Sequence, residues 1–141
     1  MLELIRYLVV MVVNFETEIN ILYIDDEVFN LTAFLGTFRR HYNVYTCMSI
    51  AEGYEILQRI NIDILICDYH VSSDNGISFL KSIITDFPRP VRILSTGYAE
   101  MEVIDDAIKS GCIYKCIAKP WTVEKLRSDI EEAYNYLKVK P

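Results

Sequence analysis

Charged and polar side chains in this chain stand just after apolar runs. Asp25-Asp26-Glu27 follows INILYI (19–24), and Asp68 follows DILIC (63–67). Ser95-Thr96-Gly97 follows VRIL (91–94), and Lys119-Pro120 follows a run that begins at Ile113. If these runs are strands of one parallel sheet, three carboxylates, a hydroxyl and an ammonium converge on one edge. Carboxylates crowded in a partly dry crevice repel, which raises the pKa of at least one unless a cation is present. A hard divalent ion relieves that repulsion; Mg2+ takes one or two carboxylates and keeps positions for water or phosphate. Lys119 is a point charge suited to a phosphoryl oxygen. Thr96 can donate a hydrogen bond to a second oxygen, and Gly97 lets the backbone approach closely. These are the parts of a phosphoryl-transfer site with a carboxylate as nucleophile.

The elements that must position them alternate along the chain. Ile19–Ile24, Asn43–Met48, Asp63–Cys67, Val91–Leu94 and Ile113–Ala118 read as strands covered on both faces, because they are apolar almost throughout. Between and after them the helical period recurs. Glu27–Arg40 carries Val28, Leu31, Leu35 and Phe38; Ser49–Ile60 opens on a capping box of Ser49 and Glu52 and buries Ile50, Tyr54 and Leu57. Gly76–Phe87 turns Ile77, Leu80 and Ile84 inward, and Ala99–Ser110 carries Met101, Ile104 and Ile108, with Gly111 placed as a C-cap. Trp121–Lys138 carries Leu126, Ile130, Ala133 and Leu137. The expected fold class is α/β: a doubly wound, five-stranded parallel sheet with five helices. In such sheets the functional crevice lies beyond the carboxyl ends of the strands, where the strand order reverses.

Composition sets the outer bounds. A chain of 141 residues, 52% apolar, is too hydrophobic for disorder and sized for one domain. A net charge of −6 argues against direct nucleic-acid binding, which needs a basic stripe. Cys47, Cys67, Cys112 and Cys116 make neither a disulfide scaffold nor a zinc set and point to a reduced, cytoplasmic setting. Residues 1–18 form an apolar N-terminal extension ahead of a domain at 19–141. Its longest unbroken apolar run, Tyr7–Val13, is far short of the ~20 residues that span a bilayer, and a signal peptide fits poorly. Three readings of it stand: a misassigned start with Met11 as the true one, an extra packed strand or helix, or a segment that pairs two chains.

Four stretches carry a family resemblance: ILYIDDE (21–27), ILICDYHVSSDNG (64–76), ILSTGY (93–98) and AKPW (118–121). Each is weak alone, but in this order, each at a strand end, they resemble the receiver domain of bacterial two-component response regulators, CheY-like in type, over about residues 19–139. The resemblance implies a flavodoxin-like strand order of 2-1-3-4-5. It implies that Asp68 accepts a phosphoryl group from a kinase's phosphohistidine. Asp25 and Asp26 match the acid pair that holds Mg2+, with Asp26 the direct ligand, and the backbone carbonyl of His70 matches a third metal contact. Lys119 matches the phosphate-binding lysine, with its bond to Pro120 cis, and Thr96 the switch hydroxyl. A histidine kinase or phosphotransfer protein is the implied partner. An output domain or effector would bind through the 99–121 face, and a homodimer is a further expected partner. The chain would be a phosphoacceptor switch that assists its own phosphorylation and dephosphorylation, not a conventional enzyme.

The family pattern is broken at two places. Its usual Met-Pro pair after the phosphoacceptor is replaced by Val71-Ser72, which reads as a looser loop. The aromatic residue three positions before the lysine is replaced by Cys116, with Tyr114 at the same strand parity. Bulky Tyr98, two residues after Thr96, is expected to slow loss of the phosphoryl group. Two other functions compete. One is a receiver-like interaction module that is not phosphorylated. The other is a flavodoxin-like cofactor carrier or phosphohydrolase, which would want a Ser/Thr/Gly-rich cradle where this chain has acids.

Overall fold

A computed structural model describes residues 19–97 and 101–140. The three readings of residues 1–18, the expectation for Tyr98 and the side chain of Met101 lie outside the described residues. The chain runs β1 (Asn20–Ile24), α1 (Val28–Phe38), β2 (Asn43–Cys47), α2 (Ile50–Arg59) and β3 (Ile64–Asp68). A hairpin of β4 (His70–Val71) and β5 (Asp74–Asn75) follows, then α3 (Gly76–Ser82), β6 (Val91–Thr96), α4 (Met101–Lys109), β7 (Lys115–Ala118) and α5 (Val123–Val139). The main sheet is parallel with the order β2-β1-β3-β6-β7. With the hairpin strands set aside, this is the expected 2-1-3-4-5 arrangement.

The strands are apolar throughout because both faces are covered. Leu22, Ile24, Leu65, Cys67 and Leu94 face Leu57, Leu80 and Ile104, so one core lies under α2, α3 and α4. Ile21, Tyr23, Ile64, Ile66 and Ile93 face Phe34, Phe38, Leu126 and Ile130, so the second lies under α1 and α5. Each fully buried Leu or Ile stabilises the fold by about 1.5–3 kcal/mol. The edge carrying the acids is therefore set on two solid layers.

Some inward faces differ from the periodic reading. In α1 the buried stripe is Leu31, Phe34 and Phe38, while Val28 is 57% exposed. Val28 is the first helical residue, and the bulkier Phe34 claims the centre by stacking on Tyr23. The helix α3 ends at Ser82, and Ile83 rather than Ile84 is buried beneath its last turn. Ala107 replaces Ile108 inside α4. Strand β7 begins two residues later than expected. Gly111 takes a left-handed φ of 81°, and the amides of Cys112 and Ile113 both donate back to the Ala107 carbonyl, closing the helix before the strand can start.

One buried acid was not foreseen as such. Asp129, on α5, is 1% exposed and accepts from Lys115 Nζ at 2.9 Å and from Lys125 Nζ at 2.8 Å. Burial acts to raise its carboxyl, but the two ammonium groups prevail and hold it below the usual carboxylate range. A depressed folded value contributes stability above the unfolded pKa of about 3.9, lost as pH falls through the folded one. Asp129→Asn is expected to cost about 2 kcal/mol at pH 7, and in urea titrations the difference from wild type should shrink progressively as pH falls below about 3.9.

Candidate functional site

Five of the residues singled out by the sequence meet at the carboxyl edge of the sheet. Asp25 continues β1 by one residue, its amide donating to the Cys47 carbonyl at 3.2 Å. It is fully buried and densely bonded. Its Oδ2 accepts from Tyr23 Oη at 3.1 Å, Asn30 Nδ2 at 2.9 Å and Lys119 Nζ at 2.8 Å, and its Oδ1 from the Glu27 amide at 2.9 Å. Asp26 is half-buried, and its Oδ2 accepts from the Ser72 amide at 2.8 Å. Asp68 ends β3 opposite Ser95, and the ladder runs on through the Tyr69 amide to the Ser95 carbonyl at 2.8 Å. Oxygens of Asp25, Asp26 and Asp68 all lie within 4.8 Å of one another.

Lys119 is the cation among them. Its amide donates to the Thr96 carbonyl at 2.9 Å, and its bond to Pro120 is cis. The ammonium reaches Asp25 Oδ2 at 2.8 Å and Asp68 Oδ2 at 3.1 Å. Burial acts to lower its pKa, but the two carboxylates outweigh this and raise it, so the ammonium is retained. Burial pushes the Asp68 carboxyl above its usual range, and Lys119 pulls against that. One ammonium among three carboxylates leaves the cluster net negative. Thr96 closes β6, half-buried, one residue beyond Ser95.

His70 opens the hairpin, its side chain exposed and its ring edge-on to Tyr69 at 4.5 Å. The hairpin itself corrects the picture of a loosened loop. His70 pairs with Asn75 and Val71 with Asp74, Val71 is fully buried, and Ser72 sits at a left-handed φ of 55°. The Ser72 amide holds Asp26, and a proline at that position would have no N–H to donate. Departure from the family's Met-Pro pair thus adds a bond to the acid cluster.

The Cys116 region also differs from the parity argument. Cys116 packs with the α4-side core, whereas Tyr114 packs with the α5-side core. Tyr114 stacks on Tyr136 at 4.6 Å and donates to Glu132 Oε1 at 3.2 Å. It lies ahead of β7, so strand alternation does not reach it, and it does not replace an aromatic side chain at 116.

Sequence reasoning missed Tyr23, Asn30, Ser72 and Gly76 as contributors. Gly76 could have been suspected from Asn75-Gly76 at a helix start, since Asn75 Oδ1 caps α3 through the Ser78 amide at 3.1 Å. A Cβ on Gly76 would fall onto the backbone carbonyl of Asp68 itself. Gly53 differs, since a Cβ there would clash with the flexible end of the Ile24 side chain and not with backbone. Gly76→Ala is expected to cost about 1–3 kcal/mol and to displace the Asp68 carboxylate. Urea unfolding and a weakened Mg2+-induced change in Trp121 emission would report it.

Comparison with known proteins shows the family and the fold. Residues 21–131 match the family model for the response regulator receiver domain. The hydrogenase transcriptional regulatory protein HoxA of Bradyrhizobium diazoefficiens is 31% identical over 113 residues, which is 80% of this chain and 23% of that protein. The transcriptional regulatory protein ZraR of Escherichia coli is 28% identical over 116 residues, 82% of this chain and 26% of its own length. The chain thus spans about a quarter of the length of these curated relatives. A response regulator receiver domain from Clostridium thermocellum superposes with a TM-score of 0.78 at 28% identity, over 86% of this chain and 98% of that one. The signal receiver domain of an HD domain-containing protein from Pseudomonas fluorescens Pf-5 shares the fold, with a TM-score of 0.81 at 23% identity, over 88% of this chain and all of that one.

Proposed function

The chain belongs to the response regulator receiver domain family, and from that premise we propose that Asp68 accepts a phosphoryl group from the phosphohistidine of a histidine kinase or phosphotransfer protein. The observation that carries this reading is the cluster itself: three carboxylates within 4.8 Å, with Lys119 bridging Asp25 and Asp68. A carboxylate oxygen of Asp68 attacks phosphorus, the phosphorus–nitrogen bond breaks, and the electron pair leaves with the donor imidazole. The product is an acyl phosphate on the protein's own side chain, which is why the chain is read as a switch and not as a conventional enzyme.

The donor set fits Mg2+, because it is all hard oxygen and carries excess negative charge. Asp25, Asp26, Asp68 and the His70 carbonyl would hold it, with Asp26 as a direct ligand. When bound, the ion supplies charge neutralisation for the phosphoryl and carboxylate oxygens. Lys119 then gives up Asp68 Oδ2 and meets a phosphoryl oxygen instead. Asp25 stays in place through Tyr23, Asn30 and the Glu27 amide. Thr96, at the end of β6, donates its hydroxyl to another phosphoryl oxygen.

Phosphorylation would shift a two-state equilibrium that partners read. The expected reading surface is the 99–121 face, where Val103 and Ile108 are exposed. No helix among the described residues is long and apolar enough to cross a membrane, and the proposed setting is cytoplasmic. Incubation with acetyl phosphate and Mg2+ tests the proposal: the intact protein should gain the mass of one phosphoryl group. No gain in the presence of Mg2+ would leave the receiver-like interaction module as the function.

A further inference from the structure

At the edge of the sheet opposite the acid cluster, two cations are held by backbone carbonyls alone. Arg92, near the start of β6, donates from each of its nitrogens: Nε to the Cys112 carbonyl at 2.8 Å, Nη1 to Pro90 at 3.3 Å and Nη2 to Gly111 at 3.2 Å. Lys140, just past α5, donates from Nζ to the carbonyls of Pro88 and Arg89, both at 2.9 Å. Both side chains are partly buried. Among the described residues, no ion pair joins either to a carboxylate. Their neighbour Arg89 differs, for it reaches the buried Asp63 at 2.7 Å. Arg92 and Lys140 line one cavity of about 190 Å3, whose wall carries no acid. Ile108, Ile113, Tyr114 and Tyr136 supply its apolar part.

A carbonyl is a dipole and not a counter-ion. The end of α4 accounts for part of this arrangement, because a helix C-terminus carries about half a negative charge. Two full positive charges face it. Burial, and then the charges of Arg92 and Arg89, hold the Lys140 ammonium below the usual lysine range. Each cation also keeps donors in reserve. A guanidinium has five N–H groups and an ammonium three, of which Arg92 uses three and Lys140 two. A partly buried charge without a partner is costly, and one anion in the cavity relieves both cations at once. The volume narrows the class, since drug-sized ligands fill pockets of roughly 300–1,000 Å3. A smaller ligand with two negative charges and several acceptor oxygens matches this cavity, and Arg and Lys together are suited to phosphate.

We propose that this cavity is a second anion site, which binds a small dianionic oxyanion of the phosphate class between Arg92 and Lys140. It is separate from the acid cluster and does not depend on the phosphoacceptor reading. An anion held there ties the start of β6 to the end of α5, beside the turn that follows α4.

Inorganic phosphate is titrated into the wild-type protein in chelator, at mildly alkaline pH and constant ionic strength, so that the metal-free acid cluster repels it. In amide NMR spectra the resonances of Gly111, Tyr114 and Lys140 should shift and saturate, while those of Asp25, Asp26 and Asp68 stay in place. Shifts that are absent, or that grow without saturating, overturn the proposal. With a dissociation constant of about 2 mM, about 20 mM phosphate should raise the Tm by about 2–5 °C. Part of any rise comes from phosphate as an excluded salt, and Lys140→Gln measures that part. This variant keeps a donor for the carbonyls and removes one charge, so its affinity for phosphate should fall by about tenfold. An unchanged affinity overturns the proposal, as does acetate binding as tightly as phosphate. O-phosphoserine separates two sources of the same chemistry. Binding of inorganic phosphate alone supports a free anion, and binding of both supports a phosphomonoester.

Discussion

Asp68→Asn is expected to abolish phosphoryl uptake and, without Mg2+, to make the protein more stable. The first effect is chemical: an amide oxygen is a poor nucleophile, and Asp68 is the carboxylate that faces Lys119 at the open edge. The second follows from electrostatics. Asp25, Asp26 and Asp68 crowd their oxygens within 4.8 Å, and burial already pushes the Asp68 carboxyl up. A raised folded value means stability that is present below the unfolded pKa and lost as pH rises through the folded one, so the ionised side chain is a cost at pH 7. Asparagine keeps an oxygen for Lys119 and removes the charge. A Tm rise of about 2–4 °C at pH 7 in chelator is expected, set against the weakened bond to Lys119. Differential scanning calorimetry with and without Mg2+ measures it. A lower Tm in chelator would show that the three acids are not in conflict.

Lys119→Met should do the reverse. Its ammonium is 17% exposed and binds one carboxylate that is fully buried and one that is 13% exposed. Removing it leaves those charges without a cation in a half-dry site. Breaking a buried pair in this way costs about 3–5 kcal/mol, and the partial exposure reduces the expected loss to about 2–4 kcal/mol in chelator. Protonation of Asp68 absorbs part of the strain, so the loss should shrink as pH falls. Mg2+ should recover the larger share, because it replaces the missing positive charge at the same oxygens. Urea unfolding at pH 7 with and without Mg2+ tests both claims. A loss that Mg2+ does not reverse would mean that Lys119 acts by packing and not by charge.

The two variants together separate what the acids do from what the lysine does. One removes a negative charge and relieves the folded state; the other removes the ammonium that compensates Asp25 and Asp68. On the proposed function, activity and stability pull in opposite directions at Asp68, as expected where like charges are crowded together.

The strands were legible because burial on both faces leaves continuous apolar runs, and INILYI and DILIC could not be much else. The acid set was legible because turns after parallel strands fall on one edge, so Asp25, Asp26, Asp68, Thr96 and Lys119 needed only their places in the chain to be brought together. Helix faces were less so. Val28 fits a 3.6-residue period as well as Phe34 does, and only the neighbouring Tyr23 ring decides which one turns inward. Tyr114 shows the same limit: strand parity assigns it to one face, but the closing turn at Gly111 delays the strand and sends it to the other.

What the sequence determined by itself is the order of the elements and the identity of the groups that meet at the strand ends, since periodicity and residue type are local properties. What only the tertiary structure decided is how those groups are held. Tyr23 on Asp25, the Ser72 amide on Asp26, and Gly76 against the Asp68 backbone each join parts of the chain whose contact depends on packing. Asp129 between two lysines is the same case away from the site. A hydrogen bond forms where distance and direction are right, to a few tenths of an ångström, and no one-dimensional pattern carries that information.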